Sequence, residues 1–121
     1  MMWIGPPGAF TSLHHDLTNN FIVQVVGRKR VRLLPASEVG KLYNKRHVFS
    51  EIPNLENTSI DMDRFHRLAG AITYEVLLEP GDILFMPLAW WHQVPALDFS
   101  VTLTYTNFLW PNDAHLTYPQ G

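Results

Sequence analysis

The sequence predicts a single domain that is mostly β, and three observations lead to this fold class. The chain has 121 residues, 46% of them hydrophobic, which suits one compact core and leaves no room for a second domain. Glycine and proline divide the chain into short segments. These segments are rich in Val, Ile, Phe, Thr and Tyr, which suit a pleated, half-buried strand. The predicted strands are 21–26, 31–34, 74–78, 83–86 and 101–108.

Helical spacing is confined to two stretches between the β halves. Residues 36–43 (ASEVGKLY) follow Pro35 and have Ser37 as a predicted cap, and residues 61–69 (DMDRFHRLA) form a second candidate. Residues 44–72 mix charge, Asn and Pro. We therefore expect one domain over 1–121 with a loop and helical excursion at about 36–73, and long excursions of this kind often carry function.

Composition and charge narrow the class of site and of partner. The formal net charge is −2 and the pI is about 6.3, so no basic field favours nucleic acid, which is a disfavoured partner. Because there is no cysteine, any metal site must use histidine and carboxylate ligands. No apolar run approaches the ~20 residues of a membrane span, and the start lacks the layout of a signal peptide. We expect no membrane association and a cytoplasmic location.

Strand alternation turns one lysine inward. Within 28–33 the three arginines share one face, while Lys29, Val31 and Leu33 share the other. A lysine in an apolar interior is costly unless it meets an anion. A snorkelling lysine at a strand end, whose ammonium regains water, explains the same pattern. Both interpretations stay open from this segment alone.

The stretch TSLHHD at 11–16 predicts a metal site. His14 and Asp16 are two positions apart, so on a strand they share a face from which His15 points away. Two ligands hold a catalytic metal poorly, so a third must come from elsewhere in the chain. The remaining histidines are His47, His66, His92 and His115.

Among these histidines, His92 has the buried setting. It follows an apolar strand, a proline break and two tryptophans, whereas the other three lie in polar stretches. Two histidines and a carboxylate on one side of a metal form the facial triad of non-haem Fe(II) oxygenases. The open metal positions admit a bidentate cosubstrate and dioxygen. If that cosubstrate is 2-oxoglutarate, Lys29 offers a charge-assisted partner for its distal carboxylate.

With these residues identified, the sequence resembles the JmjC and cupin-like Fe(II)- and 2-oxoglutarate-dependent oxygenases, especially the hydroxylase branch that includes factor inhibiting HIF. The shared pattern covers nearly the whole chain. It runs through Trp3-Ile-Gly5, Thr11, His14-x-Asp16, Asn20-Phe21, Gln24, Gly27-x-Lys29-Arg30, Glu79-Pro-Gly-Asp82, Pro87, Trp90-Trp-His92 and Asn107-Phe108. The resemblance implies a double-stranded β-helix, the jelly-roll or cupin-like barrel, with one or two short helices.

The resemblance also implies roles for the matching residues. His14, Asp16 and His92 correspond to the iron ligands. Lys29 corresponds to the residue that pairs with the distal carboxylate of 2-oxoglutarate, and Thr11 to a residue that hydrogen-bonds the same end.

Two asparagines correspond to residues that line the cosubstrate and metal site, Asn20 and Asn107. Strand alternation agrees for Asn107, because Val101, Leu103 and Tyr105 share its face and would fill the barrel.

The implied activity is hydroxylation of a protein or peptide side chain by O2, with succinate and CO2 as co-products. Candidate substrate walls are the 44–72 excursion and the aromatic residues Trp90, Trp91 and Trp110, although core and rim packing explains each tryptophan at least as well. His15 occupies a position that is commonly aromatic in the family, which indicates a packing or substrate-side change.

Other interpretations remain open. An N-methyl-lysine demethylase would use the same site. A non-catalytic cupin-like metal- or ligand-binding module is favoured because only thirteen residues precede His14, and is disfavoured because a scaffold has no need of an inward lysine. A hydrolase is weaker, because Ser12 and Ser100 lack a nucleophile-elbow context. The short start also allows a truncated barrel that borrows an edge strand, and therefore a homodimer.

Overall fold

A computed structural model of the chain, which describes residues 1–119, consists of ten strands in two antiparallel sheets. The strands are β1 Met2–Gly5, β2 Phe10–His15, β3 Asn20–Val26, β4 Lys29–Leu34, β5 Asn44–Arg46, β6 Phe49–Ser50, β7 Tyr74–Leu78, β8 Ile83–Met86, β9 Trp91–Pro95 and β10 Ser100–Tyr105. One sheet has four strands in the order β1-β10-β3-β8, and the other has six in the order β5-β6-β2-β9-β4-β7. Strands 1 to 4 alternate between the sheets, as in a jelly roll.

The predicted mostly β, double-stranded β-helix is therefore confirmed. Each sheet supplies four strands to the jelly roll, and β5 and β6 add two strands beyond β2. The sequence also allowed a truncated barrel. Within residues 1–119, however, each of the two sheets has the four strands of a jelly-roll layer. No helix among these described residues is both long and apolar enough to traverse a bilayer.

Two apolar clusters lie on opposite faces of the six-stranded sheet. The inner cluster lies between the sheets and comprises Ile22, Val31, Leu33, Leu78 and Met86. The outer cluster lies beneath the excursion and comprises Leu13, Leu34, Leu42, Ile52, Phe65 and Trp91. Because successive residues of a strand face opposite ways, neighbours such as Leu33 and Leu34 enter different clusters.

The excursion forms 3₁₀ helices and covers the outer face of the six-stranded sheet. The helices of the excursion are Ala36–Lys41 and His66–Gly70, and a third 3₁₀ helix, Ala114–Leu116, lies outside it. The predicted Ser37 cap is wrong, because Pro35 holds the cap position without a side-chain hydrogen bond. Most of 44–72 packs away from the space between the sheets, and its β5–β6 hairpin pairs with β2. Its role as a substrate wall stays a prediction.

Candidate metal centre

Three side chains converge where β2 and β9 run side by side. His14 and His92 are directly paired across the two strands, and Asp16 follows β2 immediately. The two imidazole rings have centroids 4.3 Å apart. Asp16 reaches between them, with Oδ1 3.5 Å from His14 Nε2 and Oδ2 3.6 Å from His92 Nε2. The convergence thus follows from strand register and not from a flexible loop.

Backbone carbonyls orient both rings. His14 Nδ1 lies 2.7 Å from the Ser12 oxygen, and His92 Nδ1 lies 3.1 Å from the Trp90 oxygen. These contacts suit Nδ1–H donors and turn each Nε2 toward Asp16. Histidines that bind a metal commonly donate their other ring N–H to a backbone carbonyl in this way.

The charges of the three groups favour a cation between them. Burial lowers the pKa of His92 to about 4, with a smaller contribution from His14, so this ring is neutral near pH 7. Burial raises the pKa of Asp16, but the hydrogen bond from His14 and the positive charge that His92 carries in the acidic range where Asp16 titrates outweigh it and lower the pKa overall. Burial likewise lowers the pKa of His14, and the hydrogen bond to Asp16 more than compensates, so it is raised.

The donor set fits a divalent metal. One ligand atom from each of the three residues lies within 4.8 Å of the others, and no other such group of three occurs among residues 1–119. An N,N,O set suits ferrous iron and its divalent substitutes. The assignment of these residues as ligands stays a prediction. His47, His66 and His115 stand apart from the group.

A cavity of about 280 Å³ opens on this cluster between the two sheets. It is lined by Met1, Trp3, Thr11, His14, Asp16, Thr18, Asn20, Ile22, Lys29, His92, Val94, Thr102, Thr104 and Thr106. Among the predicted cosubstrate residues, Lys29, Thr11 and Asn20 lie in this lining. Burial lowers the pKa of Lys29, and none of residues 1–119 forms an ion pair with its ammonium. The cavity therefore offers an unpaired cation and several hydroxyls to an anion.

Asn20 hydrogen-bonds to the Asp16 carboxylate. It is 9% exposed, and the hydrogen bond from its amide contributes to lowering the pKa of Asp16. Its Oδ1 is buried and has no hydrogen-bond partner among residues 1–119. An acceptor left in this state is available to a bound ligand.

Asn107 does not line the cavity, and the predicted alternation of β10 is wrong. Its residue is exposed beyond the end of the strand. Thr102 and Thr104 pair directly with Gln24 and Ile22 of β3, so they share the inward face. Leu103 and its alternate neighbours face outward instead. Alternation alone favours apolar residues inside, whereas β10 has its threonines inside and its apolar residues outside.

The predicted substrate-side residues are placed differently from expectation. Trp91 is 1% exposed in the outer cluster, and His15 is 4% exposed with its ring 4.8 Å from that of Trp91. Both are packing residues outside the cavity lining, and their substrate-side assignment stays a prediction. Trp90 is half-buried against the inner cluster, and Trp110 is exposed and stacked on Phe108 at 5.0 Å. Neither of these two tryptophans lines the cavity.

Two other aromatic residues lie near the metal cluster, one of them in the cavity lining. Trp3 lines the cavity from β1, and its indole Nε1 donates to Thr104 Oγ1 at 3.2 Å. Phe49 of β6 is paired with His14, with ring centroids 5.8 Å apart. The sequence offered one weak signal for Phe49, an apolar Val48-Phe49 pair within a polar stretch.

Comparisons with known proteins agree on one family. The sequence model of the cupin-like domain matches residues 1–112. Lysine-specific demethylase 8 of Xenopus tropicalis is 36% identical over 104 residues, which is 85% of this chain and 24% of that protein. The tRNA wybutosine-synthesizing protein 5 of Mus musculus is 36% identical over 107 residues, which is 88% of this chain and 32% of that protein. The chain thus spans a third or less of these relatives.

Solved structures share the fold. The ribosomal oxygenase YcfD from Escherichia coli, in complex with cobalt and succinic acid, has a TM-score of 0.56 and 27% identity, covering 96% of this chain and 24% of that one. Its complex with cobalt and 2-oxoglutarate has a TM-score of 0.57 at 24% identity with the same coverage.

Proposed function

The chain belongs to the cupin-like domain family, and from this premise we propose that it is an Fe(II)- and 2-oxoglutarate-dependent oxygenase domain that hydroxylates a protein or peptide side chain. The observation that carries the proposal is one arrangement: an N,N,O cluster and an unpaired lysine line the same cavity. A non-catalytic module needs no such lysine, because burying an ammonium without a partner is costly.

Different residues of the chain would bind the metal and the cosubstrate. His14, Asp16 and His92 would hold the metal, and their backbone contacts keep the rings oriented. Lys29 would pair with the distal carboxylate of 2-oxoglutarate, with Thr11 as a hydroxyl donor to the same end. Asn20 would hold Asp16 in place through its amide. Ferrous iron, when bound, would supply the activation of dioxygen that couples substrate oxidation to formation of succinate and CO2.

A demethylase is the second candidate, and a specific relative favours it. Lysine-specific demethylase 8 of Xenopus tropicalis is 36% identical over 104 residues. Hydroxylation of an N-methyl carbon would use the same metal and cosubstrate site, so the difference lies in the substrate. A tRNA-modifying relative widens the choice, but a net charge of −2 favours protein over nucleic acid here.

The test is succinate release from 2-oxoglutarate by the purified chain with ferrous iron and ascorbate. Wild type should release succinate, and His92→Ala should not. His115→Ala is the matched control, because His115 is exposed and lies away from the cluster. A folded, iron-loaded wild type that releases no succinate with any supplied protein substrate would contradict the oxygenase proposal.

A binding experiment separates the oxygenase from the metal-binding module. Lys29→Ala should abolish 2-oxoglutarate binding to the Mn(II)-loaded chain and leave Mn(II) binding intact. A Lys29→Ala chain that still binds 2-oxoglutarate at wild-type affinity would favour the module, because the lysine would then be structural.

A further inference from the structure

One row of side chains crosses the six-stranded sheet at the level of the metal centre. His92 is paired with His14, His14 with Phe49, and Phe49 with Arg46. Directly paired residues of antiparallel strands place their side chains on the same face. Phe49 and Arg46 therefore continue, strand by strand, the face that carries the two histidines.

The outer half of this row is uncovered. The opposite sheet has four strands against six in this one, and β5 and β6 are the two extra strands. Phe49 is 46% exposed although its ring lies 5.8 Å from that of His14, and Arg46 is exposed. An aromatic residue and a cation thus extend from the metal centre into solvent.

Among the arginines of residues 1–119, Arg46 and Arg67 have no carboxylate partner, and Arg67 lies over the Tyr43 ring at 4.3 Å, a contact that Arg46 lacks. Arg28, Arg30 and Arg32 each lie within ion-pair distance of a carboxylate, as does Arg64. Among residues 1–119, no carboxylate forms an ion pair with Arg46. Its charge is therefore available to a partner from outside.

We propose that Phe49 and Arg46 form a docking strip for an extended substrate peptide that carries an acidic side chain about three residues from the oxidised one. Strands are about 4.8 Å apart, so Arg46 lies about 10 Å from His14 along the row, which three residues of extended peptide span. Phe49 would support the intervening residues through its ring. This inference rests on the proposed function and names the substrate class for the same site.

The charge distribution favours a peptide over nucleic acid. Strong phosphate-backbone binding draws on several cations, whereas the whole chain has a net charge of −2. The row supplies one arginine and one aromatic ring, which suits a single carboxylate next to an apolar contact.

The test uses fluorescence anisotropy with the Mn(II)- and 2-oxoglutarate-loaded chain at ~0.15 M salt, where charges farther apart than about 8 Å are largely screened. The probes are three fluorescein-labelled peptides of alternating Gly with Glu, Gln or Lys, and a uridine oligonucleotide of RNA. Wild type should bind the Glu peptide about fivefold more tightly than the Gln peptide, the scale of one exposed charge pair.

Two variants and one control separate the contribution of the Arg46 charge from that of the Phe49 ring. Arg46→Glu should abolish the preference for Glu over Gln, while Phe49→Ala should weaken both peptides equally. Arg67→Glu is the control and makes the same charge change in the helix His66–Gly70. The adjacent residue of this helix, Leu68, packs on the outer cluster, behind the sheet. This variant should keep the preference for the Glu peptide over the Gln peptide.

Three results would overturn the docking strip. Wild type could bind the Glu and Gln peptides equally, Arg67→Glu could lose the preference for Glu as fully as Arg46→Glu, or the RNA could bind more tightly than the Glu peptide. Because binding is measured without turnover, its outcome is independent of succinate release. A chain that prefers the Glu peptide but releases no succinate would refute the oxygenase alone, and an active chain without the preference would refute the docking strip alone.

Discussion

His14 and His15 show how much one position along a strand decides. His14 lies beside Asp16 and His92, whereas His15 is buried between Trp91 and Tyr118, with its Nδ1 lacking a partner among residues 1–119. Burial lowers the pKa of His15, which keeps it neutral in its apolar surroundings.

The pair provides a matched substitution. His14→Phe should abolish Mn(II) binding, whereas His15→Phe should retain it and change the free energy of unfolding by about 1 kcal/mol or less, because it removes an unpaired polar atom and keeps a ring. Calorimetric titration with Mn(II) and urea unfolding measure both. Loss of metal in His15→Phe with an intact fold would show that His15, and not register alone, shapes the site.

Lys29 gives a pH dependence with a defined sign. Burial lowers its pKa below the ordinary 10.5. A dicarboxylate binds the ammonium form, so affinity for 2-oxoglutarate is full below the lowered pKa and falls as pH rises through it. Calorimetry of the Mn(II)-loaded chain between about pH 7 and pH 9.5 should show this decline earlier than an ordinary lysine would give. Lys29→Arg, which stays charged, should flatten the curve; identical curves for both proteins would contradict the assignment.

Gly27 lies between β3 and β4, where both its backbone conformation and a close contact disfavour any other residue. Its φ is +70°, and a Cβ there would lie 2.1 Å from the Phe99 carbonyl oxygen. Gly8 has a φ of +81° with nothing within 4 Å of the same position. Gly8→Ala should cost about 1 to 2 kcal/mol from backbone conformation alone, and Gly27→Ala about 3 kcal/mol or more. Equal costs in urea unfolding would show that the contact with Phe99 relaxes freely.

At the scale of elements, β9 joins the metal centre to the excursion. His92 faces the cavity, and the next residue, Gln93, is fully buried on the other face. Its Oε1 accepts from the Leu55 amide at 2.9 Å, and its Nε2 donates to Asn54 Oδ1 at 2.6 Å. The excursion is therefore fixed to the strand that carries a predicted ligand.

Gln93→Leu should leave the Leu55 amide unpaired, remove one of the two hydrogen bonds that Asn54 Oδ1 accepts, and cost about 1 to 3 kcal/mol. Hydrogen exchange should accelerate at the amides of residues 54–56. Asn57→Ala is the control, since Asn57 is exposed and caps only the Ser59 amide at 2.9 Å. An unchanged exchange pattern in Gln93→Leu would show that the outer cluster alone holds the excursion.

The elements differ in how far the sequence could predict them. Alternation and composition identified β7 and β8 to the residue, because each is a short run bounded by turns. They missed β9, whose residues WHQVP combine a proline with a polar pair, and they reversed the faces of β10. Alternation shows which residues share a face but not which face is inside, and a register shift between Val101 and Thr102 further obscures it. The predicted grouping of His14, Asp16 and His92, by contrast, required only spacing and a buried histidine, and the structure brings the three side chains together.

At the scale of the whole molecule, the four-stranded sheet exposes an apolar outer face. Its exposed members are Met2, Ile4, Phe21, Val25, Ile83, Phe85 and Tyr105. Contiguous apolar surface of this kind marks an interaction site or a tendency to associate. The homodimer expected from the sequence stays a prediction, and this face is the surface that we expect it to use.

The isolated chain should therefore associate with itself as its concentration rises, measured by sedimentation velocity between about 5 and 200 µM, which covers micromolar dissociation constants. Phe85→Lys should reduce the association, because an ammonium buried against a second copy costs more than the lost apolar contact. Val39→Lys is the control, since Val39 is 47% exposed but lies in the excursion, away from this sheet. Neither substitution touches the metal cluster, so Mn(II) binding should survive both. A wild type that stays monomeric throughout the range would show that this face does not pair two copies, and a loss of association in Val39→Lys would move the contact to the excursion.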